Sequence, residues 1–278
     1  MKNPVYYNGV ICPFENAAIP LTDRSIFFAD AVYDVMIGRG KSVYQFNEHM
    51  RRLRGNCERI GLDLSYSDEE IIDIINELAE LCPACDFMLY IHISASTQKR
   101  AHKRDGSLGN MLITLTEISI PIQPNEVSAI LMPDMRYEYC DIKTTNLLPS
   151  VLSVMSATER NADIAIFHKN RYVTEASYAN VFIIKNDELL TPPISRNLLP
   201  GITRENIIST SRKLGIKCAE TEITTDDLMS ADAVILTSTT KLMQICTKIE
   251  KFDISRKANE MITRIFNALY SDFLSVAE

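Results

Sequence analysis

Between Ile120 and Asn125 the chain reads Ile-Pro-Ile-Gln-Pro-Asn, a Pro-interrupted connector with few periodic apolar contacts. Proline lacks an amide donor and fixes its own φ, so this stretch has no place inside a helix or a central strand. The chain is therefore expected to fold as two domains, 1–119 and 128–278, joined by a linker over 120–127. A length of 278 residues is enough for two modest cores.

Upstream of the connector, residues 5–10 read as a strand that closes in the Asn8-Gly9 turn. Residues 33–37 and 42–44 read as strands about the turn Gly38-Arg39-Gly40-Lys41. Asn47 is expected to cap a helix over 48–60 that stops at Gly61. Ser67 and Glu70 form a capping box ahead of an apolar stripe of Ile71, Ile74, Ile75 and Leu78. Two buried strands, 87–95 and 111–118, complete a sheet-plus-helix layer, an α+β arrangement. Downstream, strands near 129–132, 165–167, 181–184 and 233–236 are interspersed with helices near 147–161, 204–214 and 258–276. The expected class is therefore α/β (α+β), with a smaller N-terminal and a larger C-terminal domain.

Composition removes several functions. The net charge is −7 and there is no basic run, which argues against nucleic-acid binding. No apolar run approaches the ~20 residues that span a bilayer, and the start lacks the pattern of a secretory signal. A cytoplasmic protein is expected. Seven scattered cysteines then read as reduced thiols. Cys82-Pro-Ala-Cys85 has redox or zinc spacing but no second pair and no nearby histidine pair, so it reads as a helix-end feature and no metal is expected.

Four segments carry candidate chemistry. In Cys140-Asp-Ile-Lys143-Thr-Thr-Asn-Leu-Leu148 the lysine sits among small and apolar residues, and a desolvated lysine suits imine chemistry and proton shuttling. In Val173-Thr-Glu175-Ala-Ser-Tyr-Ala-Asn180 a carboxylate ends a strand, where it can pair with a protonated ring nitrogen. In Leu198-Leu-Pro-Gly201-Ile-Thr203-Arg204, glycine allows close backbone approach and Thr203 is expected to cap a helix whose free amides suit a phosphate. Thr237-Ser238-Thr239-Thr240, after an apolar strand, offers hydroxyls and amides of the same kind. On local pattern alone, a solvated lysine and an ordinary turn carboxylate explain the first two segments better, a plain helix cap explains the third equally well, and the Ser/Thr turn is weak evidence by itself.

Taken in order and spacing, CDIKTTNLL, VTEASYANVF, LLPGITRENII and LTSTT resemble the fold-type IV pyridoxal-phosphate (PLP) enzymes over nearly the whole chain. Within them the sequence is most similar to the D-amino acid (D-alanine) aminotransferase branch. The resemblance implies a two-domain fold with PLP in the cleft and Lys143 as its Schiff-base lysine. It implies that Glu175 meets the pyridine nitrogen and that Leu199 packs on the ring. It implies phosphate contacts from Arg52 (in NEHMRRLRGN), Ile202, Thr203, Ser238 and Thr239.

The branch rests on Lys99-Arg100-Ala101-His102. By itself this is a basic turn. The resemblance implies that Arg100 and His102, with Tyr33, hold the substrate carboxylate, the loop reaching over from the other subunit of a homodimer. Leu148, Val35 and Ile37 stand where the branched-chain enzymes carry Tyr, Gly and Arg, and Leu147 lacks the basic character of the lyase pattern. The expected reaction is ping-pong transfer between a D-amino acid and a 2-oxo acid, 2-oxoglutarate or pyruvate. The alternatives are an L-branched-chain or R-amine aminotransferase, then an aminodeoxychorismate lyase. A relative that binds PLP without turnover belongs to a different class. Tyr178, Ile37 and Pro200 depart from the branch pattern and leave the side-chain range open.

Overall fold

The computed structural model describes residues 3–82, 86–254 and 257–277, and the chain divides into two compact units. The first runs to Ile120 and also contains Ile142–Asn146 and the residues from Leu274. It holds β1 (Pro4–Tyr7), β2 (Val10–Pro13), α1 (Arg24–Phe28), β3 (Ala31–Arg39), β4 (Ser42–Val43), α2 (Phe46–Arg59), α3 (Asp68–Leu81), β5 (Asp86–Ser94) and β6 (Asn110–Glu117). Its antiparallel sheet has the order β2-β1-β6-β5-β3-β4.

The expected strand over 5–10 is the first arm of a hairpin. Asn8 and Gly9 take φ of 45° and 89°, the left-handed pair that a two-residue turn needs. The capping box of α3 is present, with Glu70 N–H donating to Ser67 Oγ at 3.1 Å and Ser67 N–H to Glu70 Oε2 at 2.7 Å. Ile71, Ile75 and Leu78 bury into a core with Leu89, Ile91 and Ile113. The cap expected at Asn47 is corrected. Helix α2 starts earlier, at Phe46, because Gln45 turns the chain through φ 53° and no side chain caps the helix. Cys82 closes α3, while Pro83, Ala84 and Cys85 lie outside the described residues. The six described cysteines are free.

The second unit holds Pro121–Asp141 and Leu147–Phe273. Its elements are β7 (Asn125–Pro133), α4 (Leu148–Glu159), β8 (Ile164–Lys169), β9 (Tyr172–Ala176), β10 (Asn180–Lys185), β11 (Glu188–Thr191), α5 (Ile202–Lys213), β12 (Cys218–Glu220), α6 (Thr225–Met229), β13 (Ala233–Ser238), β14 (Leu242–Ile249), β15 (Phe252–Asp253) and α7 (Asn259–Leu274). The sheet order is β12-β11-β10-β13-β14-β7-β8-β9, with β15 beside β14. Strands β14, β7 and β8 run parallel to their neighbours in that trio. Val181, Ile183, Val234, Leu236 and Cys246 form the core on one face. No helix among the described residues is long and apolar enough to cross a membrane.

Lys143, expected in the second domain, belongs to the first unit. The reason is local: Ile142 is buried in the first core, and the backbone from Lys143 to Thr145 bonds along β3.

Candidate active site

Asp34 faces inward from β3 and is fully buried. A buried carboxylate is costly unless it is paired and hydrogen-bonded. Helix α2 supplies the partners from one face, three residues apart. His49 Nδ1 lies 2.8 Å from Asp34 Oδ1. Arg52 grips the same carboxylate with Nε at 2.8 Å and Nη2 at 2.7 Å. Burial works against the charged Asp34, but the Arg52 charge and the bonds from His49 and Arg52 outweigh it and hold the carboxyl well below its usual range. Burial pushes His49 the other way, toward the neutral ring, although Asp34 opposes the shift.

Lys143 joins this cluster through its backbone. Tyr33 N–H donates to the Lys143 carbonyl at 2.9 Å, and Thr145 N–H donates to that of Ala31 at 3.2 Å. The segment lies along the edge of β3, and Lys143 Nζ stands 4.4 Å from the centroid of the Tyr33 ring. Tyr33 and Lys143, two of the residues singled out from sequence, thus come together, and Arg52 is bonded to Asp34, the residue after Tyr33. Arg100 and His102 lie on the exposed loop after β5 instead, each 5.3 Å from the ring of Phe28.

In the second unit Glu175 ends β9 and is buried. Arg136 Nη1 donates to its Oε1. Asn180 Nδ2 at 3.0 Å and Leu199 N–H at 3.1 Å donate to Oε2. Burial drives the carboxyl above its ordinary range, while the Arg136 charge and the Arg136 and Leu199 bonds pull it back. Arg136 is fixed in turn by Asp134, through Nε at 2.9 Å and Nη2 at 2.7 Å, and lies over the Phe167 ring at 4.8 Å. Thr174 Oγ1 donates to Asp134 at 2.8 Å.

Asn180 carries this network to α5. Its Nδ2 also donates to the Leu199 carbonyl at 2.9 Å, and a Cβ added at Gly201 would meet Asn180 Oδ1 at 2.0 Å. Glycine is required there by close approach, since its φ of −70° is open to any residue. Gly201→Ala should displace Asn180 and lower stability by about 1–3 kcal/mol, the usual cost of overpacking. Thermal unfolding measures that loss.

Thr203 does not cap α5, which corrects the expectation. Gly201 is the N-cap, no side chain bonds the first turn, and Thr203 is a buried second residue. The first amides of α5 therefore have no side-chain acceptor, as an anion site requires. On the neighbouring strands Asn180 pairs with Thr237, and the buried hydroxyls of Thr237 and Ser238 have no hydrogen-bond partner among the described residues. Thr239, Leu199 and Ile202 are half-buried nearby in sequence.

Asp34, His49, Asp134, Arg136 and Asn180 escaped the sequence reading. Asp34 had a signal, a carboxylate at an inward position of an apolar strand, and His49 had one in its spacing to Arg52. Arg136 and Asn180 had none beyond polarity next to a buried strand.

A family model described as amino-transferase class IV matches residues 31–249. The chain is 32% identical to a D-alanine aminotransferase of Bacillus licheniformis, over 98% of this chain and 97% of that one. It is 32% identical to one from Listeria monocytogenes, over 90% and 89% of the two chains. A branched-chain aminotransferase structure from Thermoproteus uzoniensis superimposes with a TM-score of 0.87 at 24% identity, covering 98% and 97%. A 4-amino-4-deoxychorismate lyase structure from Legionella pneumophila, itself described as putative, does so at 0.85 with 21% identity, covering 93% and 97%.

Proposed function

The chain belongs to the class IV aminotransferases, which use pyridoxal phosphate, and from that premise we propose that it moves the amino group of a D-amino acid such as D-alanine to a 2-oxo acid. The observation that carries the reading is near full-length identity of 31–32% to proteins named D-alanine aminotransferase. The branched-chain structures share the fold at lower identity, 18–24%.

The residues fit the cofactor. An uncapped helix N-terminus and two buried hydroxyls without partners among the described residues suit its phosphate, with Ile202, Thr203, Ser238 and Thr239 as the holding residues and Leu199 against the ring. Arg52 adds positive charge, steadied by Asp34. Glu175 suits the ring nitrogen, because a carboxyl raised by burial is a strong partner for a cationic N–H. When bound, PLP supplies an electron sink for the charge left as the α-proton departs. Lys143 would hold the cofactor, and its Nζ, when free, would take the substrate α-proton and deliver it back on the same face. A single lysine on one face fixes which hydrogen moves. Tyr33, Arg100 and His102 receive the substrate carboxylate, the last two within a homodimer. The enzyme is expected to work in the cytoplasm.

The test is a donor comparison with 2-oxoglutarate as acceptor. D-alanine should be used and L-leucine should not, and preference for L-leucine would overturn the reading. Arg100→Ala should weaken amino-acid binding by ~2 to 4 kcal/mol, read as a raised KM. An unchanged KM would remove Arg100 from the carboxylate.

A further inference from the structure

Phe28 stands at the centre of a cluster outside the cofactor residues. The guanidinium of Arg24 lies 4.7 Å from its ring centroid, that of Arg100 lies 5.3 Å away, and the His102 ring lies at 5.3 Å. Arg24 is 4% exposed, and each of its three nitrogens is engaged. Nε donates to Asp30 Oδ2 at 2.6 Å, Nη1 to the Ala101 carbonyl at 2.5 Å and Nη2 to the His102 carbonyl at 3.1 Å. The backbone on both sides of the His102 amide is thereby tied down. Asp30 also accepts from Arg104, through Nε at 3.0 Å and through Nη2. Arg104 Nη1 spans to the carbonyls of Ile60 and Gly61, at 2.6 Å and 2.9 Å, where α2 ends.

The loop from Thr97 to Gly109 has almost no regular structure, and Arg100 and His102 are exposed on it. Two arginines meeting on one half-buried carboxylate hold its two sides. One sets the loop carbonyls and the other anchors the loop's far end to α2. A long, exposed loop without such ties samples many conformations, and each must be frozen out when a ligand binds. Arg24 and Asp30 line a cavity with Phe28, His102, Thr144 and Asn146, the last two one and three residues after Lys143.

We infer that the brace of Arg24, Asp30 and Arg104, seated on Phe28, is a positioning device that presents Arg100 and His102 to the substrate carboxylate. The inference rests on the proposed role of those two residues. Asp30 touches no reacting atom and acts through the loop. It therefore sets KM for the amino acid far more than kcat.

The experiment uses the PLP-loaded enzyme and Asp30→Asn, which keeps shape and removes the charge shared by the two arginines. KM for D-alanine should rise on the order of tenfold, equal to about 1.4 kcal/mol, with kcat changed less than about threefold. Limited trypsin digestion gives a readout independent of activity, since Lys99, Arg100 and Lys103 are cleavage sites in the loop. Cleavage there should speed by roughly tenfold, as expected when a loop opens more often. In an Arg100→Ala background Asp30→Asn should add almost nothing to KM, and Asp30→Glu should recover part of the loss. An unchanged KM and cleavage rate would overturn the inference, as would an undiminished tenfold effect in the Arg100→Ala background. If Asp30→Asn fails to fold, Arg104→Met removes one arm and leaves the Arg24–Asp30 pair, with the same readouts and the same overturning results. An Arg100→Ala enzyme with normal KM sinks the carboxylate role itself, and faster trypsin cleavage of Asp30→Asn would then show the brace without that role.

Discussion

Lys143→Ala should purify without the yellow of bound PLP and should transaminate about 10⁴-fold more slowly, the upper range for a lost acid–base group. The same change should leave the fold nearly intact. Lys143 is tied to β3 by its carbonyl, which alanine keeps, and its side chain is half-buried over Tyr33 rather than locked in an ion pair of the core. A cation over an aromatic ring at a partly exposed site contributes ~0.5–1 kcal/mol, so the melting temperature should shift by a few degrees at most. Activity and stability therefore separate at this residue. Borohydride reduction of the wild-type enzyme gives the complementary readout, a cofactor mass fixed on the peptide that contains Lys143. A Lys143→Ala protein that transaminates normally, or a label on another lysine, would end the assignment.

The ease of reading Lys143 and the difficulty of reading its neighbours have one physical origin. Lys143, Glu175 and the Gly201 turn lie in short segments whose order and spacing are distinctive along the chain. The capping box at Ser67 is equally local, since both of its bonds lie within four residues, and it was legible for that reason. Asp34, by contrast, acquires its meaning only when α2 packs on β3 and brings His49 and Arg52 to it. Arg136 and Glu175 are 39 residues apart and meet through the order of β7, β8 and β9. No periodicity reports such a pairing. The missed elements follow the same rule. Strand β14 holds Gln244, Thr247 and Lys248 among its apolar residues, because bonding to β13 and β7 on either side, not hydrophobic alternation, fixes it as a strand. Lys143 itself was placed in the wrong unit for a related reason. A linker can be read from its prolines, but the return of Ile142–Asn146 to the first core depends on a single buried isoleucine and backbone bonds.

Glu175→Gln should reduce kcat/KM by about 10²–10³-fold, equivalent to ~2.7–4 kcal/mol of lost electrostatic stabilisation. Glutamine keeps the length and the acceptor oxygen, so Arg136 Nη1 retains a partner of some kind. What disappears is the negative charge, which under the proposed function holds a proton on the ring nitrogen. The structural cost is moderated by Asp134. Removing one member of a buried ion pair ordinarily costs about 3–5 kcal/mol, but Arg136 keeps two bonds to Asp134 and its carbonyl contact with Asn197. The loss should therefore fall below that range, and thermal unfolding of the PLP-loaded variant measures it. A visible absorbance band that changes with the variant, at a cofactor content equal to wild type, would place the effect on ring protonation rather than on binding. Glu175→Asp retains charge but shortens the reach to Arg136 and Asn180, so its spectrum should stay closer to wild type even where its rate is low. Equal rates and equal spectra for Glu175→Gln and wild type would exclude Glu175 from the ring nitrogen.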